Sequence, residues 1–96
     1  MNIVVAYDVN TETPAGRKRL RGVAKVCEGC GQRVQMSVFE CSLTRTQLES
    51  MRGSLLDIIK PELDSLRIYH IAASRQEAVE VHGRDDWRDL NGAIVL

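Results

Sequence analysis

The sequence has no apolar stretch close to the roughly 20 residues that a helix needs to cross a bilayer, although 44% of its 96 residues are hydrophobic. This absence predicts a protein without a membrane span. The first residues run directly into a predicted strand without a basic n-region, so we expect no secretory signal peptide. The ordinary hydrophobic and charged fractions predict a single globular domain over residues 1–96 with one modest core.

Cysteine is scarce and odd in number, with Cys27, Cys30 and Cys41 as the only thiols. An odd set argues against a disulfide framework and for a reducing compartment, so we expect a cytoplasmic protein. The three thiols are too few for a structural zinc site, which requires four ligands. The C-E-G-C segment also lies at a predicted helix C-terminus, where the helix dipole disfavours a thiolate. We therefore predict neither zinc binding nor redox chemistry here.

The net charge is zero, because 13 basic side chains balance 13 acidic ones. The overall charge therefore predicts no partner. The distribution is uneven, because residues 17–25 contain cations and no acid. Such a patch is compatible with phosphate contact, although a solvated helix face is the more common role of a charged run. The cations are Arg17, Lys18, Arg19, Arg21 and Lys25.

Aromatic residues make up only 4% of the chain, which leaves few platforms on which nucleic-acid bases could stack. We therefore expect Phe39 to pack at an interface rather than to bind a base. Ser37 has no histidine at a spacing that suggests nucleophilic catalysis.

Hydrophobic periodicity predicts alternating strands and helices. The predicted elements are a strand at 3–9, a loop at 10–16, a helix at about 17–27, a strand at about 33–43, a helix from the capping box of Thr44 and Gln47 to Pro61, and a strand at 66–71. Two weaker segments, 78–82 and 93–96, are predicted as short strands. This order predicts an α+β fold close to the ferredoxin-like pattern, but order alone leaves the topology open.

The first strand is apolar on both of its faces, with Ile3, Val5 and Tyr7 on one and Val4 and Ala6 on the other. Two helices can cover only one face of a sheet. In so short a chain, the simplest cover for the second face is another copy of the chain. We therefore predict a two-fold homodimer.

One carboxylate, Asp8, lies near the end of this apolar strand. A buried carboxylate without a partner costs several kcal/mol or shifts its pKa. Asp8 should therefore have a charged partner, a metal ion or an exit to solvent at the strand end. The residues alone leave a structural ion pair and a functional site open as roles for Asp8.

Four segments carry a family resemblance: Y-D-V at the end of the first strand, R-K-R-L-R in the first helix, G-Q-R-V-Q-M-S-V-F-E-C in the second strand and L-R-I-Y in the third. They resemble the CRISPR-associated protein two family, which consists of small CRISPR adaptation proteins often described as endoribonucleases. Together the four segments follow the family's element order over nearly the whole chain.

The resemblance implies a ferredoxin-like antiparallel sheet with two helices on one face and the other face buried in a homodimer. Residues 78–96 would contribute short strands to that dimer. The resemblance also implies that Asp8 is catalytic and binds a divalent cation, usually Mg²⁺, across the dimer axis.

The family's basic residues match Arg17 and Arg19 in the first helix and Arg33 in the second strand. With the neighbouring helix cations, the expected nucleic-acid contacts are Arg17, Lys18, Arg19, Arg21, Lys25 and Arg33. The residues expected at the site or at the dimer face are Tyr7, Ser37 and Phe39.

The sequence and the resemblance leave two functions open. The first is a magnesium-dependent endonuclease of CRISPR spacer acquisition, with Asp8 as the metal ligand, that acts on RNA or double-stranded DNA. The second is a non-catalytic homodimeric scaffold that binds duplex DNA along its basic helix and bridges the CRISPR integrase. One acid in each subunit is fewer than two-metal nucleases normally supply, so both hypotheses are kept.

Overall fold

A computed structural model describes residues 1–84. Its elements are β1 (Asn2–Asp8), α1 (Pro14–Glu28), β2 (Gln32–Gln35), β3 (Val38–Ser42), α2 (Arg45–Ile58), β4 (Ser65–Ile71) and α3 (Arg75–Ala78). The strands form one antiparallel sheet in the order β2-β3-β1-β4. Apart from α3, the element order is the ferredoxin-like β-α-β-β-α-β pattern, which confirms the predicted fold class. In these 84 residues, no helix is long and apolar enough to cross a membrane.

The first helix begins three residues before its predicted start. The hydroxyl of Thr13 accepts a hydrogen bond from the amide of Gly16 at 3.1 Å, and Pro14 occupies the first helical position, where its fixed φ favours the helix. The predicted loop at 10–16 is therefore wrong in its second half. A Cβ at Gly16 would overlap the carbonyl oxygen of Asn10, so this glycine lets α1 pack directly on the loop that follows β1.

The strand predicted at about 33–43 is in fact a hairpin of β2 and β3. The chain reverses at Met36 and Ser37, and a register shift between Arg33 and Gln35 marks a bulge. Met36 stands at the tip of the turn with 83% of its surface exposed. The turn was missed because its segment, V-Q-M-S-V, contains no Gly, Pro, Asn or Asp to signal a reversal. The capping box predicted at the start of α2 is confirmed.

The core lies between the sheet and the helices α1 and α2. Its members are buried apolar side chains on one face of the sheet and on the facing stripes of the two helices. They include Ile3, Val5, Tyr7, Phe39 and Cys41 from the sheet, Val23 and Cys27 from α1, and Leu48, Met51 and Leu55 from α2. These helix positions recur at three- and four-residue spacing, which is why the two helices share one layer.

We call the other side of the sheet the open face. In β1 it carries Val4 and Ala6, which are half-buried. The chain itself covers part of this face, because Arg75 of α3 binds Glu40 of β3 with 2.7 Å between Nε and Oε2. Val79 also lines a cavity together with Val4.

The residues after β4 do not form the first of the two predicted C-terminal strands. Residues 75–78 are helical, and residues 79–84 form no strand. The prediction over 78–82 is therefore wrong for this chain on its own, because α3 carries the backbone across the sheet face rather than along a strand edge. The second predicted strand, 93–96, lies outside the described residues.

A buried ion pair fixes the end of the sheet at which β1 finishes. The carboxylate of Asp64 accepts from Nε of Arg19 at 2.9 Å, and the two side chains are only 0% and 11% exposed. It also accepts from the backbone amides of Asn10 at 3.0 Å and Lys60 at 2.9 Å. Arg19 and these amides lower the pKa of Asp64 to about 2, against its burial. We call this arrangement the Asp64 clamp.

The clamp predicts a particular pH dependence of stability. The pKa of Asp64 is lower in the folded chain, about 2, than its ordinary value of 3.8. The ionised carboxylate therefore stabilises the fold fully above about pH 5, and this contribution is lost as the pH falls towards 2. At neutral pH, Asp64→Asn should lower the free energy of unfolding by about 3–5 kcal/mol, because it leaves Arg19 without its charged partner.

Urea unfolding of both proteins at pH 7, 5 and 3 tests this prediction. The difference in unfolding free energy between wild type and variant should be the same at pH 7 and 5, and should shrink at pH 3. A difference that is constant across all three values would contradict the role given to the ionised carboxylate.

Candidate functional site

Asp8 is the last residue of β1, where it pairs with Ser65 of β4. Strand alternation places it on the same face as Val4 and Ala6, which is the open face. Its side chain is exposed, and within residues 1–84 no side chain or amide binds its carboxylate. The sequence predicted a charged partner, a metal ion or an exit to solvent for this acid, and the fold provides the exit to solvent.

The predicted site residues Ser37 and Arg17 lie at the same end of the sheet as Asp8. The amide of Tyr7 donates to the carbonyl of Ser37 at 3.1 Å, so the turn between β2 and β3 lies beside the residue that precedes Asp8. On the other side, Nη1 of Arg17 donates to the carbonyl of Thr11 at 3.2 Å. Arg17 thus lies against the loop that leaves the strand end, with its side chain exposed.

Three of the predicted phosphate contacts form a row along α1. Lys18, Arg21 and Lys25 are spaced by three and four residues, which places them on one side of a helix, and all three are exposed. Within the described part of the chain, no acidic side chain pairs with any of them. We call these three residues the basic stripe. Their charges are available to an external anion.

Arg19 differs from the other cations of α1. Its guanidinium binds Asp64 in the clamp, and its Nη2 also reaches the carbonyl of Asn10 at 3.5 Å. With its side chain only 11% exposed, Arg19 is engaged inside the fold. Its guanidinium is therefore held by Asp64 rather than exposed for the predicted nucleic-acid contact.

Tyr7 and Phe39 lie in the core under the helices, and the prediction that they line the site or the dimer face is wrong for both. Phe39 is fully buried, and the ring centroids of the two residues are 6.2 Å apart in a stacked arrangement. The guanidinium of Arg33 lies 5.1 Å from the centroid of Phe39 and binds Glu28 at 3.1 Å. The sheet separates this stack from the side chain of Asp8, because alternate residues of a strand face opposite sides.

The titrating groups in the core provide no base or thiolate at neutral pH. Burial raises the pKa of Tyr7 above its ordinary 10. Burial also raises the pKa of Cys27 to about 11 and that of Cys41 to about 12. These groups therefore stay protonated, and the thiols do not present the form that binds metals or attacks disulfides.

The donor set at Asp8 fits Mg²⁺ only as part of a site. The free carboxylate is the type of oxygen ligand that Mg²⁺ prefers, and this ion commonly keeps several waters and uses one or two carboxylates. Within residues 1–84, no three His, Cys, Asp or Glu side chains are grouped to hold a metal ion. Within the described residues, one chain thus supplies a single carboxylate, and further oxygen ligands would come from waters, from a second copy or from the phosphate oxygens of the substrate.

Sequence reasoning missed Asp64, which organises the surroundings of Asp8. The local signal was the segment K-P-E-L-D before the third predicted strand, because an aspartate after a proline turn often binds nearby backbone amides. In the structure, this carboxylate accepts from the amide of Lys60. Its charged partner, Arg19, is 45 positions away in the sequence, and no local pattern connects the two.

Comparisons with known proteins agree with this fold and these segments. The family model for CRISPR associated protein Cas2 matches residues 1–79. The chain is 51% identical over 96 residues to the CRISPR-associated endoribonuclease Cas2 of Chlorobaculum tepidum, with both chains covered completely. It is 44% identical over 96 residues to the CRISPR-associated endonuclease Cas2 of Halalkalibacterium halodurans, again with full coverage of both.

A solved structure from the same family has a similar fold. The crystal structure of Streptococcus pyogenes Cas2 at pH 6.5 superposes with a TM-score of 0.76 at 53% identity, covering 86% of this chain and all of that one. The order of strands and helices, the segments around Asp8 and these similarities agree, and the chain belongs to the Cas2 family of CRISPR-associated proteins.

Proposed function

We propose that the chain is a divalent-cation-dependent endonuclease of CRISPR spacer acquisition that cleaves phosphodiester bonds in RNA or double-stranded DNA. The observation that carries this proposal is the exposed carboxylate of Asp8 at the end of β1, which no other side chain or amide binds within residues 1–84. The names of the relatives support it, because the Chlorobaculum tepidum protein is called an endoribonuclease and the Halalkalibacterium halodurans protein an endonuclease.

The proposed chemistry divides the work between Asp8 and the cations of α1. Asp8 holds a divalent cation such as Mg²⁺, which when bound polarises a phosphodiester and lowers the pKa of a bound water. Arg17 and the basic stripe bind the phosphates of the nucleic acid and hold it against the strand end. The side chain of Asp8 is exposed, and its carboxylate forms no hydrogen bond or ion pair within residues 1–84, so its substitution should leave the fold intact.

A homodimer completes the site in this proposal. Val4, Ala6 and Val38 of the open face are half-buried in the single chain, and Tyr69 is 46% exposed on the same face. An apolar sheet face of this kind is stabilised when a second copy covers it, and a two-fold axis through the face would bring a second Asp8 into the assembly. The second carboxylate is the ligand that one chain lacks.

The nuclease proposal predicts that Asp8→Asn abolishes cation-dependent cleavage. Asparagine keeps the size of the side chain but removes the charged ligand, so the rate should fall about a hundredfold or more. The assay compares RNA and duplex DNA, each with Mg²⁺ and with EDTA. Asp57→Asn is the matched control, because Asp57 is an exposed carboxylate on α2. Cleavage that persists in Asp8→Asn, or that does not depend on the cation, would sink the proposal.

The dimer proposal predicts that Tyr69→Glu dissociates the protein. A charge placed on the open face must be desolvated when a second sheet packs on it, and this penalty opposes association. Sedimentation should give the mass of two chains for wild type and of one chain for the variant. Leu56→Glu is the control, because Leu56 is 55% exposed on α2. A monomeric wild type, or a Tyr69→Glu variant that stays dimeric, would contradict the proposed interface.

A second candidate function is a DNA scaffold, and the basic stripe favours it. Three exposed cations without acidic partners in the described chain form a continuous positive row on α1. Such a row can follow a duplex backbone without any chemistry at Asp8. In this alternative, the homodimer carries duplex DNA and bridges copies of the CRISPR integrase.

The scaffold proposal predicts that Lys18→Glu with Arg21→Glu weakens duplex binding and makes it less sensitive to salt. Each lost phosphate contact should reduce the slope of log K against log salt by about 0.9, so the double variant should lose about 2. Arg45→Glu with Arg52→Glu on α2 is the control with the same change of net charge. If both double variants lose affinity equally, net charge and not the stripe is responsible. Spacer acquisition that survives Asp8→Asn would favour the scaffold over the nuclease.

A further inference from the structure

We infer that Asp64 is a positioning residue for Asp8, because the Asp64 clamp sets the direction in which the Asp8 carboxylate leaves the sheet. This inference rests on the metal-binding role proposed for Asp8. It adds a residue that lies outside the sequence-based site prediction and is not itself a ligand. The geometry that carries it is the way Asp64 and its neighbour Ser65 hold the backbone at Asp8 and at Asn10, two residues later.

On one side, Asp8 is fixed through the neighbour of Asp64. Ser65 follows Asp64 directly and is the register partner of Asp8 at the end of the β1–β4 ladder. On the other side, the amide of Asn10, two residues after Asp8, donates to Oδ1 of Asp64 at 3.0 Å. The segment of Asp64 and Ser65 therefore holds the backbone at Asp8 and again two residues later, in the loop that follows the strand.

Arg19 also binds the backbone of Asn10 directly. Its Nη2 reaches the carbonyl of Asn10 at 3.5 Å and Oδ1 of Asp64 at 3.3 Å. The amide and the carbonyl of Asn10 are thus both engaged by the ion pair, which restrains the path of the loop after Asp8. Because the Asp64 side chain is fully shielded from solvent, water and salt screen these contacts less than they screen contacts on the surface.

A purely structural role would give the clamp no special effect on Asp8, and the chain offers a matched comparison. Arg75 and Glu40 form a second shielded ion pair, with 2.7 Å between Nε and Oε2 and side chains 20% and 14% exposed. Glu40 lies opposite Val4 in β1, four positions before Asp8. Breaking that pair should destabilise the fold without moving the end of the strand.

The experiment measures Mn²⁺ binding at Asp8 rather than cleavage alone. Mn²⁺ is titrated into wild type, Asp64→Asn, Glu40→Gln and Asp8→Asn, and paramagnetic broadening of the amide signals near the strand end reports occupancy. Asp64→Asn should bind Mn²⁺ about tenfold more weakly than wild type, the size of effect typical of residues that orient a ligand. Glu40→Gln should match wild type, and Asp8→Asn should abolish the broadening.

A second variant keeps the test decisive if Asp64→Asn does not fold. Arg19→Lys retains a positive charge beside Asp64 but loses the forked donors that reach Asn10, and it should show a smaller loss of Mn²⁺ affinity. Cleavage assays on the folded variants should show the matching rise in the cation concentration needed for half-maximal rate.

The outcomes separate this inference from the function on which it rests. Folded Asp64→Asn or Arg19→Lys with wild-type Mn²⁺ affinity would overturn the positioning role. So would an equal loss of affinity in Glu40→Gln, since the effect would then follow stability. Wild type that binds Mn²⁺ at Asp8 without cleaving nucleic acid would overturn the nuclease proposal and leave the positioning role standing. Wild type without Mn²⁺ binding would overturn both.

Discussion

The buried pair of Arg19 and Asp64 joins parts of the chain that are far apart in sequence. Arg19 belongs to α1, Asp64 lies just before β4, and Asn10 and Lys60 follow β1 and α2. A buried charge is tolerated only where charge and hydrogen bonds compensate its desolvation, and here the carboxylate accepts from a guanidinium and two amides. The pair therefore specifies how the helices, the loop and the strand ends meet, and it does so at the edge where Asp8 emerges.

Much of the fold follows from local signals in the sequence. The element types of β1, α1 and α2 were predicted correctly. The signals were the apolar residues on both faces of β1, the apolar stripe of α1 and the capping box at Thr44. The hairpin of β2 and β3 was not predicted because its turn contains no Gly, Pro, Asn or Asp. The helix α1 starts at Pro14, inside the predicted loop, because proline is favourable in the first turn of a helix.

The candidate site was only partly predictable, for a physical reason. Exposure of Asp8 and of the basic stripe follows from strand ends and helix periodicity, which are local properties. The partner of Arg19 depends on a contact 45 positions away. The placement of Phe39 on the helix side depends on its pairing with Val5 of β1, which can be assigned only once the turn between β2 and β3 is known. Charge alone could not separate a cation held by the fold from one left for an external anion.

The residues proposed for nucleic-acid binding and the residue proposed for chemistry lie on different elements. The basic stripe belongs to α1, while Asp8 belongs to the sheet, and the clamp at Arg19 adds an ion pair to the core packing that joins α1 to the sheet. Phosphate contact by the stripe therefore does not require a metal ion, whereas chemistry at Asp8 requires both a cation and more ligands than one chain supplies. The two proposed functions therefore depend on different residues, and each needs its own variants to test it.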